Sequence, residues 1–140
     1  MTRIDFHTNV PDKAAYACRV LRKARAENTQ AVVYCSNTAE LERFDKLLWS
    51  FSALDFLPHV FVSDALAAQT PIILTSTVTD TPHTQLLINL DTETPTFFSR
   101  FDRVIEVVSS EDSDAAAGRA RYKFYKDRGY ALKHHVAGGS

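Results

Sequence analysis

The sequence predicts a single-domain α/β fold with a mainly parallel central sheet and helices on both faces of that sheet. Short runs rich in Val, Ile and Leu alternate along the chain with longer stretches of helical periodicity. Strands that alternate with helices in this way form parallel sheets, which are covered on both faces. The length of 140 residues suits one domain, and no repeat or low-complexity linker divides it.

The N-terminal half predicts a strand, a helix, a strand and a helix. In the first strand Ile4 and Phe6 alternate with polar residues, and the second strand is the β-branched run AVVY within residues 30–35. The first helix begins at Pro11, because proline is tolerated in a first turn. The second helix begins after Asn37, a residue type that caps helices. These elements are residues 3–8, 11–28, 30–35 and 37–49.

The C-terminal half predicts three strands, a helical turn and a final helix. Pro71 opens an Ile- and Leu-rich strand, a second apolar run follows a polar loop, and the run RVIEVV is the third strand. The final helix begins at Ser109 or Ser110 and ends near Gly129, since glycine suits the residue beyond a helix end. These elements are residues 71–75, 86–90, 95–101, 103–108 and 109–129.

Composition and charge exclude several classes of function. The 16 basic and 17 acidic residues give a net charge of −1, which disfavours generic nucleic-acid binding. The chain has no apolar run near the ~20 residues that span a bilayer, and no secretory signal at its N-terminus. Cys18 and Cys35 match no disulfide framework and no zinc-ligand spacing. We therefore expect a cytoplasmic protein with no membrane partner.

The sequence lacks the signatures of catalysis and of cofactor binding. None of its four glycines follows the first strand, where a phosphate-binding loop would need them. It has no G-x-S-x-G elbow, no HExxH and no His or Cys spacing suited to zinc. We expect no catalytic residue, metal or cofactor. We assign residues 1–132 to the domain and residues 133–140, with His134 and His135, to a flexible solvated tail.

The segment LLWSFSALDFLP, residues 47–58, has the composition of a docking surface. Trp49 lies at the flank of the core-facing stripe of the second helix, and Phe56, Leu57 and Pro58 follow in a loop. Apolar patches that contain Trp and other aromatic residues commonly mark partner sites. The alternative is that Trp49 and Phe56 only close the edge of the core.

The final helix has a basic face with a tyrosine in it. At 100° per residue, one arc of this helix contains Arg119, Tyr122, Lys123 and Lys126. A second arc, which we expect to face the core, contains Ala117, Ala120 and Phe124. The basic arc suits an acidic peptide end, because Arg holds a carboxylate bidentately and Tyr supplies an apolar wall. It also suits a single-stranded nucleic acid, and a merely solvated basic face is the third possibility.

Several motifs occur together in a characteristic order. After the first strand-helix-strand unit come DKLLW at 45–49, FLPH at 56–59, RARYKFY at 119–125 and RGY at 128–130. In order, spacing and chain length, residues 4–132 resemble the chi subunit of bacterial DNA polymerase III. The resemblance implies a nucleotide-binding-like α/β fold without a phosphate loop and without catalytic activity.

The resemblance implies two protein partners and no specific nucleic acid. One partner is the acidic, Phe-terminated C-terminal tail of the single-stranded-DNA-binding protein. Its implied site is Val108, Arg119, Tyr122, Lys123 and Lys126. The other partner is the psi subunit, which tethers chi to the clamp loader. Its implied site is Trp49, Phe56, Leu57 and Pro58.

The implied function is that of a non-catalytic adaptor in DNA replication. The chain departs from some chi-like sequences at Ala115, where those have a lysine near the start of the final helix. The main alternative is a direct single-stranded nucleic-acid-binding domain that uses the same basic helix. A nucleotide-dependent enzyme, the third reading, lacks the loop glycines.

Overall fold

Seven strands and three helices make up the described residues, 1–51 and 57–137, in a computed structural model of the chain. The strands are β1 (Arg3–Val10), β2 (Ala31–Tyr34), β3 (His59–Phe61), β4 (Ile72–Thr75), β5 (Leu86–Asn89), β6 (Arg103–Ser109) and β7 (Ala131–Val136). The helices are α1 (Lys13–Ala26), α2 (Thr38–Phe51) and α3 (Asp112–Asp127). Two 3-10 turns, Ala67–Gln69 and Phe98–Arg100, cross the loops.

Helices α1 and α2 begin where a side chain accepts a hydrogen bond from one of their first free amides. The Asp12 carboxylate accepts a hydrogen bond from the Ala15 N–H at 3.1 Å at the start of α1. The Asn37 side chain accepts from the Glu40 N–H at 3.0 Å, so the predicted cap of α2 is confirmed. Each cap satisfies an amide that has no partner within its own helix.

The strand order is β3-β4-β2-β5-β6-β1-β7, and every neighbouring pair is parallel. The predicted α/β class is therefore confirmed, and the described sheet is parallel throughout. β6 and β1 are neighbours, but their connections leave in opposite directions. β1 leads through α1 towards β2, whereas β6 leads through α3 to β7. Ligand clefts in parallel sheets form at such reversals, beyond the carboxyl ends of the strands.

The two faces of the sheet bury two separate cores. On one face Leu21 of α1 and Leu48 of α2 pack with strand residues that include Val107. On the other face Tyr125 of α3 packs with strand residues that include Val108. Successive residues of β6 therefore point to opposite faces, as the pleat of a strand requires. Helices thus cover both faces, as the sequence predicts.

The structure corrects the predicted flexible tail. Residues 131–136 form β7, which pairs with β1 in parallel, and Leu132 packs against the core on the α3 side. The pairing satisfies the amides and carbonyls that β1 would otherwise leave open at the edge of the sheet. The sequence signal was weak because the outer strand is largely exposed and its polar run KHH hides the alternation. Residues 138–140 lie outside the described residues.

The face that α3 turns to the sheet also differs from the predicted one. Ala120 is exposed, and Ala117 and Phe124 are only partly buried. The buried positions are Asp114, Gly118, Arg121 and Tyr125. The predicted arc was chosen for its apolar residues, whereas the sheet beneath α3 presents a buried carboxylate that requires polar partners.

That carboxylate belongs to Glu106 of β6, which is fully buried. It accepts hydrogen bonds from Arg121 Nε at 2.9 Å, the Tyr125 hydroxyl at 2.7 Å and Asn89 Nδ2 at 2.8 Å. Burial raises the pKa of Glu106, and the Arg121 charge and the three hydrogen bonds oppose that rise. Because a buried charge is tolerated only with partners, this network fixes the rotation of α3 against the sheet.

Candidate functional site

A cleft of about 730 Å³ lies beside the carboxyl ends of β1 and β6, where their connections leave in opposite directions, and along α3. Its lining includes Val108, Arg119, Tyr122, Lys123 and Lys126, which are all five residues of the predicted acidic-tail site. We call this cleft the α3 groove. The structure therefore brings these residues together on one concave surface, although Val108 comes from a strand and the others from a helix.

The floor of the α3 groove depends on a glycine in the middle of the helix. A β-carbon built on Gly118 would lie 2.7 Å and 2.8 Å from the two γ-methyl carbons of Val108. Contacts this short do not occur without movement, so only glycine lets α3 lie so close to β6. A glycine in the middle of a helix costs roughly 1 kcal/mol relative to alanine. Its presence in the predicted helix therefore indicated a close approach of the helix to another element, which sequence reasoning overlooked.

The strand ends beside the groove are irregular and held by side chains. The register between β1 and β6 shifts between His7 and Val10, and Asn9 has a φ of 58°. The Asp114 carboxylate accepts from the Ser109 N–H at 2.7 Å, and Lys13 Nζ lies 3.3 Å from it. Burial would raise the pKa of Asp114, but the Ser109 hydrogen bond and the Lys13 charge bring it below its usual value. The end of β6 is thereby anchored to the first turn of α3.

The rim of the groove is cationic and exposed. Lys123 pairs with Asp127 at 2.8 Å, an ion pair between exposed side chains that contributes little to stability and is open to exchange. Arg119 and Lys126 have no such partner among the described residues. The Tyr122 ring packs edge-on against Phe6, with centroids 5.1 Å apart, so its position is fixed. An apolar floor beside free cations suits an anionic group attached to an apolar group.

Phe6 and Ala115 are among the residues of the groove that sequence reasoning did not place there. Phe6 belongs to β1, more than a hundred residues before α3, and no local pattern links the two. Ala115, noted only as a departure from some chi-like sequences, lines the groove as well. A small side chain there leaves the entrance open next to Val108.

The second predicted surface is described only in part, because Phe56 lies outside the described residues. Trp49 is 50% exposed, and its ring packs at a tilt against His59 with centroids 4.2 Å apart. His59 is buried, and its Nδ1–H donates to the Leu57 carbonyl oxygen at 2.8 Å. Its Nε2 lies 3.0 Å from the Asp45 carboxylate. A buried imidazole, hydrogen-bonded through Nδ1 and facing the Asp45 carboxylate through Nε2, therefore supports an exposed tryptophan.

The structure corrects the placement of Leu57 in that surface. Its side chain is 1% exposed and packs in the core beneath α1 and α2, so it forms no part of the exposed surface. An apolar side chain at the entry to β3 gains more by burial than by exposure. Pro58 is partly buried and Trp49 is the exposed aromatic residue, so Trp49 carries the apolar surface that the structure describes here.

The described residues offer little other chemistry. Burial raises the pKa of the Cys18 and Cys35 thiols to about 11, which makes both cysteines poor nucleophiles near neutral pH. Across residues 1–51 and 57–137, no three His, Cys, Asp or Glu side chains are grouped as metal ligands. In the same part of the chain, no helix combines the length and apolarity needed to cross a membrane.

Comparison with known proteins leads in the same direction as the motifs. The family model described as DNA polymerase III chi subunit, HolC, matches residues 1–133. The DNA polymerase III subunit chi of Pseudomonas aeruginosa is 34% identical to this chain over 96% of both proteins. The subunits of the same name from Haemophilus influenzae and Escherichia coli are 27% and 26% identical, over 83% and 82% of this chain and 81% and 79% of their own lengths.

Proposed function

The chain belongs to the DNA polymerase III chi subunit family of replication accessory subunits, and on that premise we propose that it is a non-catalytic adaptor. Its α3 groove captures the acidic C-terminal tail of the single-stranded-DNA-binding protein. Its surface around Trp49 binds the psi subunit and thereby the clamp loader, in the cytoplasm. The observation that carries the proposal is the shared position of Val108, Arg119, Tyr122, Lys123 and Lys126 in one groove.

The groove fits a peptide that ends in an acidic stretch and a phenylalanine. The terminal ring packs on Val108 and against Tyr122, and burial of such a side chain is favourable by about 1.5–3 kcal/mol. Arg119 and Lys126 pair with the terminal and side-chain carboxylates. We expect a dissociation constant in the micromolar range, about −8 kcal/mol or weaker, since the cations are exposed and solvent competes for them.

Titration calorimetry with a peptide ending in Asp-Ile-Pro-Phe tests the tail site. Arg119→Ala and Tyr122→Ala should each weaken binding by roughly 1–3 kcal/mol, because one removes a carboxylate partner and the other the apolar wall. Added salt should weaken binding of the unaltered chain, since it screens the charges. Arg43→Ala removes an exposed cation from α2 and serves as the control, with no change expected. Absence of binding at low salt rejects the tail site.

Trp49→Ala tests the second partner surface. Exposed tryptophans at interfaces commonly contribute 2 kcal/mol or more on truncation, so we expect at least about a thirtyfold loss of affinity for the psi subunit. The same variant should bind the acidic peptide normally. Thermal unfolding must accompany the measurement, because Trp49 packs against the buried His59. Unchanged psi binding by a folded Trp49→Ala chain rejects this surface.

A second candidate function uses the same groove to bind single-stranded nucleic acid. It is favoured by Tyr122, an aromatic ring set among three cations, which suits a stacked base and its phosphates. Competition separates the two candidates. If a single-stranded oligonucleotide displaces the acidic peptide at concentrations that bind the chain, the groove is a nucleic-acid site. If the peptide stays bound, the adaptor reading holds.

A further inference from the structure

The helix on the opposite face of the sheet is strongly basic. Within α1 there are five basic residues and no acidic one: Lys13, Arg19, Arg22, Lys23 and Arg25. Helix α3, by contrast, contains three aspartates beside its cations. The near-neutral charge of the whole chain therefore hides a cationic surface, and the charge pattern of residues 13–26 was the signal that could have revealed it.

Two of these cations and a third from another element line a concavity of about 500 Å³ between α1 and the edge of the sheet. Arg19 and Lys23, one turn apart on α1, line it together with Lys133 of β7. None of the three has an ion-pair partner among the described residues. We call this concavity, with its rings His7, Tyr16 and His135, the α1 pocket. Phe6 and His134 line both this pocket and the α3 groove, whereas the α1 residues of the pocket lie on the opposite face of the sheet.

The carboxylate that lines the α1 pocket is already paired. Asp5 is buried, and Arg103 Nε donates to its Oδ2 at 2.6 Å, whereas its Oδ1 has no hydrogen-bond partner among the described residues. Burial lowers the pKa of His7 to about 4, and the neighbouring charges of His135, Arg103 and Lys23 lower it as well, partly opposed by Asp5. The pocket therefore has an uncompensated positive field, which a bound anion would neutralise.

The rings of the α1 pocket are held in place. The Tyr16 hydroxyl and His7 Nδ1 are joined by a hydrogen bond, and the two ring centroids are 5.5 Å apart. The His7 and His135 rings are also close, with centroids 5.3 Å apart. Since its pKa lies far below neutrality, His7 is an uncharged flat ring in the cell. Flat rings between cations are what single-stranded nucleic-acid sites use to stack bases while cations hold the phosphates.

We propose that the α1 pocket binds the phosphodiester backbone of single-stranded nucleic acid, without sequence preference. β7 is the last strand of the described sheet, so the pocket is open at that edge. An extended nucleic-acid strand can therefore pass over the edge instead of ending in a closed cavity. An acidic peptide is the less favoured occupant because it has no bases for the three rings. This site goes beyond the adaptor function, does not depend on it and uses neither α3 nor Trp49.

Fluorescence anisotropy of a labelled twenty-nucleotide oligothymidylate with the full chain tests the proposal. The double variant Arg19→Gln/Lys23→Gln removes two phosphate contacts, which should reduce the slope of log affinity against log salt by about 1.4. Affinity at low salt should fall at least tenfold. The matched double variant Arg43→Gln/Lys46→Gln removes two exposed cations from α2, and its affinity and slope should stay unchanged. Thermal unfolding verifies that both variants are folded.

Several results overturn the proposal. They are absence of oligonucleotide binding at low salt, equal losses in the two double variants, or equally effective displacement by polyglutamate of the same charge. Equal displacement by inorganic phosphate would make the pocket a simple anion site. Displacement by the peptide ending in Asp-Ile-Pro-Phe would place the oligonucleotide in the α3 groove. If the peptide binds normally and the oligonucleotide does not bind, this proposal and the nucleic-acid reading of the α3 groove both fail, and the adaptor function stands.

Discussion

Replacement of Arg121 by methionine measures how much the stability of the domain depends on one buried ion pair of α3. Arg121 is 3% exposed and donates through Nε to the fully buried Glu106. It also donates through Nη1 to the Thr92 carbonyl oxygen at 2.7 Å. Methionine fills a similar volume but leaves the Glu106 carboxylate with only the Tyr125 and Asn89 hydrogen bonds.

The expected loss is about 3–5 kcal/mol of unfolding free energy near neutral pH, because breaking one partner of a buried pair leaves the other charge uncompensated. Arg121 Nη2 is buried without a hydrogen-bond partner among the described residues, and its removal offsets a small part of that loss. For a domain of this size, the loss is a large fraction of the total stability.

The loss should depend on pH in a definite direction. Burial already raises the pKa of Glu106, and Arg121 is the strongest influence against that rise. Without Arg121 the pKa of folded Glu106 rises further above its value in the unfolded chain. In the range between those two values the folded state holds a proton that the unfolded state has released, so stability falls as pH rises. The deficit of Arg121→Met is therefore smaller in mild acid than in mild base.

Urea unfolding of the variant and the unaltered chain at about pH 5 and about pH 8 measures this difference. Arg100→Met is the matched control, because Arg100 pairs with Asp80 at 2.7 Å between exposed side chains. That control should lose less than about 1 kcal/mol at either pH. If Arg121→Met also loses less than about 1 kcal/mol, or loses the same amount at the two pH values, Arg121 does not compensate a buried Glu106 charge.

Two further predictions concern the groove floor and His7. Gly118→Ala should cost about 1–3 kcal/mol and weaken peptide binding, because its β-carbon meets Val108 and displaces α3. Gly129→Ala is the control, because φ there is 79° and an added β-carbon would have no atom within 4 Å. It should cost about 1 kcal/mol of stability and leave peptide binding unchanged. Equal losses of peptide binding in the two variants, measured by calorimetry, would contradict this account. An NMR titration of His7 should give a pKa near 4, and stability should fall as pH decreases from about 6.5 towards 4; a midpoint near 6.5 would show that the ring is not desolvated.

Prediction from sequence succeeded where the evidence was local. The alternation of short apolar runs with helical periods predicted eight of the ten described strands and helices in kind, among them β2, β4 and α2, with bounds shifted by a few residues. The short edge strand β3 and the outer strand β7 were not predicted. An edge strand has one neighbour and an exposed face, so its residues need not show the alternation of a buried strand.

The basic arc of α3 was also visible in the sequence, because residues three and four apart share a helix face wherever the helix lies. Arg119, Tyr122, Lys123 and Lys126 line one groove as that rule predicts. The core-facing arc was wrong for a different reason. The buried side of α3 is decided by the residues of the sheet beneath it, because Arg121 and Tyr125 donate hydrogen bonds to the buried Glu106 carboxylate.

The sequence alone determined the parallel α/β class, the missing phosphate-loop glycines and the cationic arc, because each depends on residue type and short-range spacing. Tertiary structure alone decided that Phe6 lies under that arc, that Arg121 is buried, and that Lys133 lines one pocket with two cations of α1. Strand order brings these distant residues together, and it depends on the free energy of packing the whole sheet, which no local periodicity records.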